Sequence, residues 1–260
     1  MNRAALLEVR KLGLSAGSRS LVDDLSLRVE SGQFWVVVGP NGVGKTTLLN
    51  VLAGLAAPRA GRVALAGRAL ATLSAADAAL RRGYLPQHVE APYATEVLAA
   101  VLLGRHPHRS PGAWRLWDSD ADEAFAHAAL ARVGLSGFES RDLATLSGGE
   151  RQRAAIAGLL AQAPPLYLLD EPLAHLDLRH QLAVMRLLRG LTDGGDSAVV
   201  ASVHDLSMAA RCATHALVMG PAGCVAGTAD AVLTEATLTA AFEHPVRRLS
   251  DGETVALVGR

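Results

Sequence analysis

The sequence predicts an α/β fold built on a mainly parallel sheet. Uninterrupted apolar runs recur along the chain: "FWVVVG" at Phe34 to Gly39, "LYLLD" at Leu166 to Asp170 and "AVVASVH" at Ala198 to His204. Such runs suit strands buried on both faces. Segments of helical composition separate them, so strand and helix alternate. The first run opens directly into a glycine-rich loop, "GPNGVGKTT" at Gly39 to Thr47, and then into an apolar helix, "TTLLNVLAGL".

The remaining elements follow in chain order. Ahead of the first buried run, "LLEVRKLGL" and the stretch from Leu21 to Val29 alternate in polarity. They read as strands joined by the "SAGSRS" turn, an N-terminal antiparallel β subdomain. Gly54 and Pro58 are placed to close the helix after the glycine-rich loop. "GRVALAG" reads as a short strand, and "SAADAALRR" as a short helix with Ser74 as its N-cap. From Ala91 to about Gln162 the pattern is mostly helical, broken by "GRHPHRSPGAWRLW". Alanine-rich stretches such as "AFAHAALARVG" favour helix. The expected division is a single domain. Residues 1–87 and 163–260 form the core with its β subdomain, and residues 88–162 form an inserted α-helical subdomain.

Composition sets bounds on function. The 260 residues are 50% apolar, enough to bury a sizeable core, while aromatics make up only 4%. The formal net charge is zero, so the broad basic footprint of a nucleic-acid binder is missing and no nucleic-acid partner is expected. Cys212 and Cys224 have no metal or redox spacing, which suits a reducing compartment. The start, "MNRAALLEVRKLGL", has charges where a signal peptide needs an apolar stretch. No apolar run approaches the roughly 18–20 residues of a membrane helix. The chain is expected to reside in the cytoplasm, with freedom to sit on a membrane protein.

The loop "GPNGVGKTT" fits the phosphate-binding pattern G-x-x-x-x-G-K-[ST] at Gly39, Gly44, Lys45 and Thr46, in the strand-to-helix setting this motif requires. Gly39, Pro40, Asn41, Gly42, Val43, Gly44, Lys45, Thr46 and Thr47 are thus candidate nucleotide-binding residues. Glycines let backbone N–H groups converge on phosphate. Lys45 supplies a point charge, and the Thr46 hydroxyl can ligate Mg²⁺. Asp170 and Glu171 end a buried strand. Asp170 fits a Mg²⁺-holding acid, and Glu171 a base for the attacking water. His204, after another buried strand, could donate to a terminal phosphate. Gln87 closes the first core block. A second possible phosphate cradle lies at Ser147, Gly148 and Gly149, at the start of a helical run, where Ser147 and Glu150 also have capping-box spacing.

Taken in order, "GPNGVGKTT", "LPQ", "LSGGE", "LYLLDEP", "LAHLD" and "SVHD" resemble the nucleotide-binding subunit of ATP-binding cassette (ABC) transporters. "LSGGE" is the most discriminating piece. The resemblance implies a P-loop NTPase (RecA-like) core that binds ATP and Mg²⁺. It implies Gly39 to Thr47 as the Walker A loop and Gln87 as a sensor of Mg²⁺ and the attacking water. Asp170 and Glu171 would be the Walker B aspartate and catalytic glutamate, and His204 the switch histidine. Ser147, Gly148 and Gly149 would be the signature. Asp177 and Ser147 would lie at the interface with a second copy closed head to tail.

One departure stands out: Ala16 falls where the family often stacks an aromatic on adenine. The segment "LGRHPH" at Leu103 to His108 looks like that of importer ATPases for iron–siderophore, haem and cobalamin. For His106 and His108 a subunit contact or surface loop is preferred over a metal site, since no third ligand is evident nearby. The resemblance further implies separate permease subunits, a substrate-binding protein, and a peripheral place on the cytoplasmic side of the membrane. Exporter ATPases share the core motifs and are the alternative. A soluble cassette protein would normally be longer, and a small-molecule kinase would leave "LSGGE" and "SVHD" without a role.

Overall fold

A computed structural model describes residues 5–88, 94–109, 120–250 and 255–259. The chain opens with β1 (Ala5–Ala16) and β2 (Arg19–Glu30), then β3 (Phe34–Val38) and helix α1 (Lys45–Leu52). Next come β4 (Ala60–Leu65), β5 (Arg68–Ala69), α2 (Ala75–Ala79) and β6 (Arg82–Leu85). A helical block follows: α3 (Val97–Leu102), a 3₁₀ turn over Leu103–His108, α4 (Asp120–Arg132) and α5 (Gly148–Gln162). The chain returns to the sheet with β7 (Leu166–Leu169), α6 (Leu178–Asp193), β8 (Ala198–Ser202), α7 (Leu206–Cys212), β9 (His215–Gly220) and β10 (Gly223–Thr228). Helices α8 (Ala229–Val232) and α9 (Glu235–Phe242) and the hairpin β11 (Val246–Ser250) with β12 (Val255–Gly259) complete it.

The central sheet has the order β10-β9-β3-β8-β7-β6. Strands β9, β3, β8, β7 and β6 are parallel, and only β10 runs antiparallel, as the second arm of a hairpin. The all-apolar runs now have a cause. Every residue of β3, β7 and β8 is buried, because the sheet is covered on both faces. Phe34, Val36 and Val38 belong to one hydrophobic cluster and Trp35 and Val37 to another. Tyr167 and Leu169 divide from Leu166 and Leu168 in the same way. This is the two-residue period of a strand, with both sides dry.

The first cluster is filled from the helical block, by Val97, Val101, Ala126, Leu130, Ile156 and Ala157 among others. The second is capped by α1 and by the antiparallel sheet β2-β1-β4-β5. Ser74 caps α2 through the Asp77 N–H at 3.0 Å. Helix α1 closes at the expected place: the Leu55 N–H reaches the Asn50 carbonyl and the Gly54 N–H that of Val51. In "LGRHPH", Arg105 points inward. It bonds Asp122 and the Ala161 carbonyl, each at 2.8 Å, and lies over the Phe125 ring. The His108 ring meets the Gln162 carbonyl at 2.7 Å. Much of that segment therefore fastens the helical block to itself. The rest of the interruption, residues 110–117, lies outside the described residues, as do residues 118–119 and 89–93. Among the described residues no helix is long and apolar enough to cross a membrane.

Candidate functional site

Parallel strands β6, β7, β8 and β3 lie side by side and end at one edge. The register pairs Leu85 with Leu169, Leu169 with Ala201, and Val37 with Ser202. Residues just past these ends emerge together, at the edge where open α/β sheets take their ligands. Gln87 follows β6, Asp170 and Glu171 follow β7, His204 follows β8, and the glycine-rich loop follows β3. A cleft of about 360 Å³ there is lined by Asn41, Gly42, Gly44, Lys45, Thr46, Thr47, Gln87, Glu171 and His204, with Ala16 and Leu21 from β1 and β2.

The loop is wound tightly by local constraints. Gly39 sits at φ 156°, and a Cβ there would come within 2.3 Å of the Met219 carbonyl oxygen on β9. The chain enters α1 through Gly44, without a side-chain cap and without an acid in the first turn. The first N–H groups of α1 and its positive dipole end are left for an anion. Lys45 is buried, and its ammonium donates to the carbonyls of Gly39 at 2.8 Å and Pro40 at 3.1 Å. Burial pushes its pKa down, opposed by the negative charges of Glu171 and then Asp170. Gly39 and Pro40 act on the site through these carbonyls rather than as lining. Val43 is buried in the hydrophobic cluster beneath the loop.

Asp170 is fully buried. Its Oδ1 accepts a hydrogen bond from Ser202 Oγ at 2.6 Å, while its buried Oδ2 has no hydrogen-bond partner among the described residues. Glu171 has φ 49°, in the left-handed region, and its N–H donates to the same Ser202 Oγ at 2.7 Å. Its Oε1 lies 2.6 Å from His204 Nε2, a separation that places a proton between ring and carboxylate. His204 stands two residues beyond β8 rather than within it.

The signature-like residues lie elsewhere. Ser147, Gly148 and Gly149 line a separate cleft of about 590 Å³ with His175, Asp177 and His180, and it shares no lining residue with the first. The capping box is formed. Ser147 Oγ accepts from the Glu150 N–H at 3.3 Å, and Glu150 Oε2 accepts from the Ser147 N–H at 2.8 Å. A Cβ on Gly149 would meet the His175 carbonyl oxygen at 2.9 Å, so the helix start and the loop after Glu171 are in close contact. Asp177 caps α6, accepting from the His180 N–H at 2.9 Å, and its Oδ1 lies 2.8 Å from His180 Nδ1. These contacts hold its carboxyl below the usual aspartate range.

The sequence profile of the ABC transporter family matches residues 22–174, the span from β2 through both strand-end acids. The chain belongs to the ABC transporter family. It is 41% identical over 96% of its length to the cobalamin import ATP-binding protein BtuD of Halobacterium salinarum, and spans 62% of that relative. It is 42% identical over 92% of its length to the hemin import ATP-binding protein HmuV of Deinococcus radiodurans, covering 91% of that protein. A metal-chelate type ABC transporter solved in an inward-facing conformation superposes with a TM-score of 0.85. It shares 30% identity, with 100% of this chain and 98% of that one covered. Membership of the ABC transporter family implies that the chain binds ATP.

Two polar residues at this ABC site escaped the sequence. Ser202 ends the run "AVVAS" and holds both acids. Gln152, buried on α5, donates to the Pro172 carbonyl at 3.2 Å and so ties the signature helix to the segment after Glu171. The available signal was a polar residue at a position that has to be buried.

Proposed function

We propose that this chain is the ATP-hydrolysing subunit of an importer that takes up an iron chelate, haem or cobalamin through separate membrane subunits. One observation carries the ATPase reading: the phosphate loop, Gln87, Glu171 and His204 line one cleft, with the buried Asp170 beside it. The names of the relatives support the import direction and the substrate class.

Lys45 and the loop N–H groups hold the phosphates, and Thr47, Asn41 and Gly42 complete the cradle. Glu171 takes up the proton of the attacking water, oriented by Gln87. His204 steers the Glu171 carboxylate and donates to the terminal phosphate. The residues present fit a magnesium ion. The bare Oδ2 of Asp170 is a buried carboxylate oxygen with no partner among the described residues, and Thr46 and Gln87 face the cleft. These would hold the cation, which when bound neutralises charge on the β- and γ-phosphates. The whole chain forms one domain, residues 1–87 and 163–260 as core and 88–162 as helical insertion. Two copies close head to tail, with Ser147, Gly148, Gly149 and Asp177 of each facing the nucleotide of the other. Transmembrane permease subunits and a substrate-binding protein complete the assembly, with this chain peripheral on the cytoplasmic side of the membrane.

Lys45→Ala tests the cleft. Displacement of a fluorescent ATP analogue should show ATP affinity falling at least about tenfold, since a charge-assisted contact contributes about 1.5–3 kcal/mol; full affinity would remove the phosphate role. Uptake of an iron chelate, haem and cobalamin by the chain reconstituted with its membrane subunits then tests the substrate class. Failure on all three, with ATP hydrolysis intact, would rule the class out.

A further inference from the structure

We propose that Ser202 is the positioning residue of the acid pair, its hydroxyl setting the Asp170 carboxylate so that Oδ2 is presented to a divalent cation. This rests on the ATPase reading above and deepens it. Ser202 is fully buried at the end of β8, where every other strand residue is apolar. Its hydroxyl carries a single proton. The Glu171 N–H can only donate, so at 2.7 Å it occupies a lone pair of Oγ. The Ser202 proton is then directed to Asp170 Oδ1, 2.6 Å away.

Both partners of this one oxygen belong to the acids that follow β7, and neither is a carbonyl left over from the sheet. The consequence is asymmetric. One Asp170 oxygen is held in place by a short hydrogen bond. The other is buried without a partner among the described residues. A buried carboxylate in that condition is costly until something positive meets it. Ser202 thereby aims the free oxygen. The same hydroxyl also anchors the N–H of Glu171, a residue in the left-handed region at φ 49°, next to the carboxylate that meets His204.

The test uses the purified chain, with Mn²⁺ as the probe, its binding followed by electron paramagnetic resonance in the presence of ATP. Partners that orient a metal ligand typically contribute 10–100-fold to metal affinity. Ser202→Ala should therefore weaken ATP-dependent Mn²⁺ binding about 10-fold or more, while ATP binding in EDTA stays within about a factor of two. Ser202→Cys keeps the side chain's shape but replaces a strong hydrogen-bonding group with a weak one, and should move the same way. If either variant, shown to be folded by its melting curve, keeps wild-type Mn²⁺ affinity, the proposal is overturned. A matching loss of ATP affinity in EDTA overturns it too, because the hydroxyl would then be supporting the cleft as a whole. Failure of the ATPase reading has a different signature: wild type itself would show no ATP-dependent Mn²⁺ binding, and both ideas would go.

Discussion

Glu171 occupies a backbone conformation at φ 49° that costs a non-glycine residue about 1–2 kcal/mol. The Ser202 hydroxyl on its N–H and the His204 ring on its carboxylate offset that cost and fix where the carboxylate points. Glu171→Gln keeps the shape and the backbone bond but cannot take up a proton. ATP affinity should remain within a few-fold of wild type, while hydrolysis falls by roughly 10²–10⁴. Size-exclusion chromatography with ATP should show a dimer accumulating. Turnover near wild type would remove Glu171 from the base role. The residues with a defined spacing were legible in the sequence, because Lys45, Thr46, Asp170, Glu171 and His204 each sit at a fixed offset from a strand end. Ser202 and Gln152 were not. A single serine in "AVVAS" and a single glutamine in "GGERQR" look like ordinary polar interruptions until the neighbouring strand and loop are in place. Ala16 and Leu21 line the cleft beside the phosphate loop, so that part of its wall is aliphatic rather than aromatic.

Among the elements, α5 carries its own start signal. Ser147 and Glu150 close the capping box reciprocally. Hydrogen bonds from Ser147 hold the Glu150 carboxyl below its ordinary pKa of 4.5. A depressed carboxylate contributes stability above its unfolded pKa and loses it as pH falls through the lowered folded value. Glu150→Ala should therefore lower the melting temperature near neutral pH. A carboxylate at a helix N-terminus contributes about 0.3–1 kcal/mol, and salt should shrink the effect at this surface site. The gap between variant and wild type should close on acidification below pH 4.5, as followed by thermal melts at several pH values. A gap that persists in acid would mean that packing, not charge, is at work. Strands β3, β7 and β8 were legible as elements because burial on both faces leaves only apolar residues. Strands β9 to β12 were not assigned. Strand β10 is mostly exposed along "GCVAGT", and its place is set by pairing with β9, register Gly223 with Gly220, which no local periodicity encodes.

At the scale of the whole molecule, two clefts share no lining residue. One gathers the phosphate loop, Gln87, Glu171 and His204. The other has the capped N-terminus of α5, two glycines and Asp177. On the proposed reading the second cleft completes no nucleotide site within its own chain. Yet Gln152 couples it to the segment after Glu171, and Gly149 lies against the His175 carbonyl in that same segment. A ligand pressed on α5 from outside would thus bear on the loop that carries the base. In the proposed head-to-tail dimer that ligand would be the terminal phosphate held by the partner copy's phosphate loop. Ser147→Arg separates the two levels. The arginine enlarges the second cleft's rim without touching the first, so a single copy should bind ATP with near wild-type affinity. In the closed pair it blocks the approach of α5 to the partner's nucleotide. Hydrolysis by the assembled transporter should then be lost, together with ATP-dependent dimerisation in a Glu171→Gln background. Loss of ATP binding to the isolated copy instead would mean that "LSGGE" serves its own chain's cleft, and the two clefts would have to be read as one site.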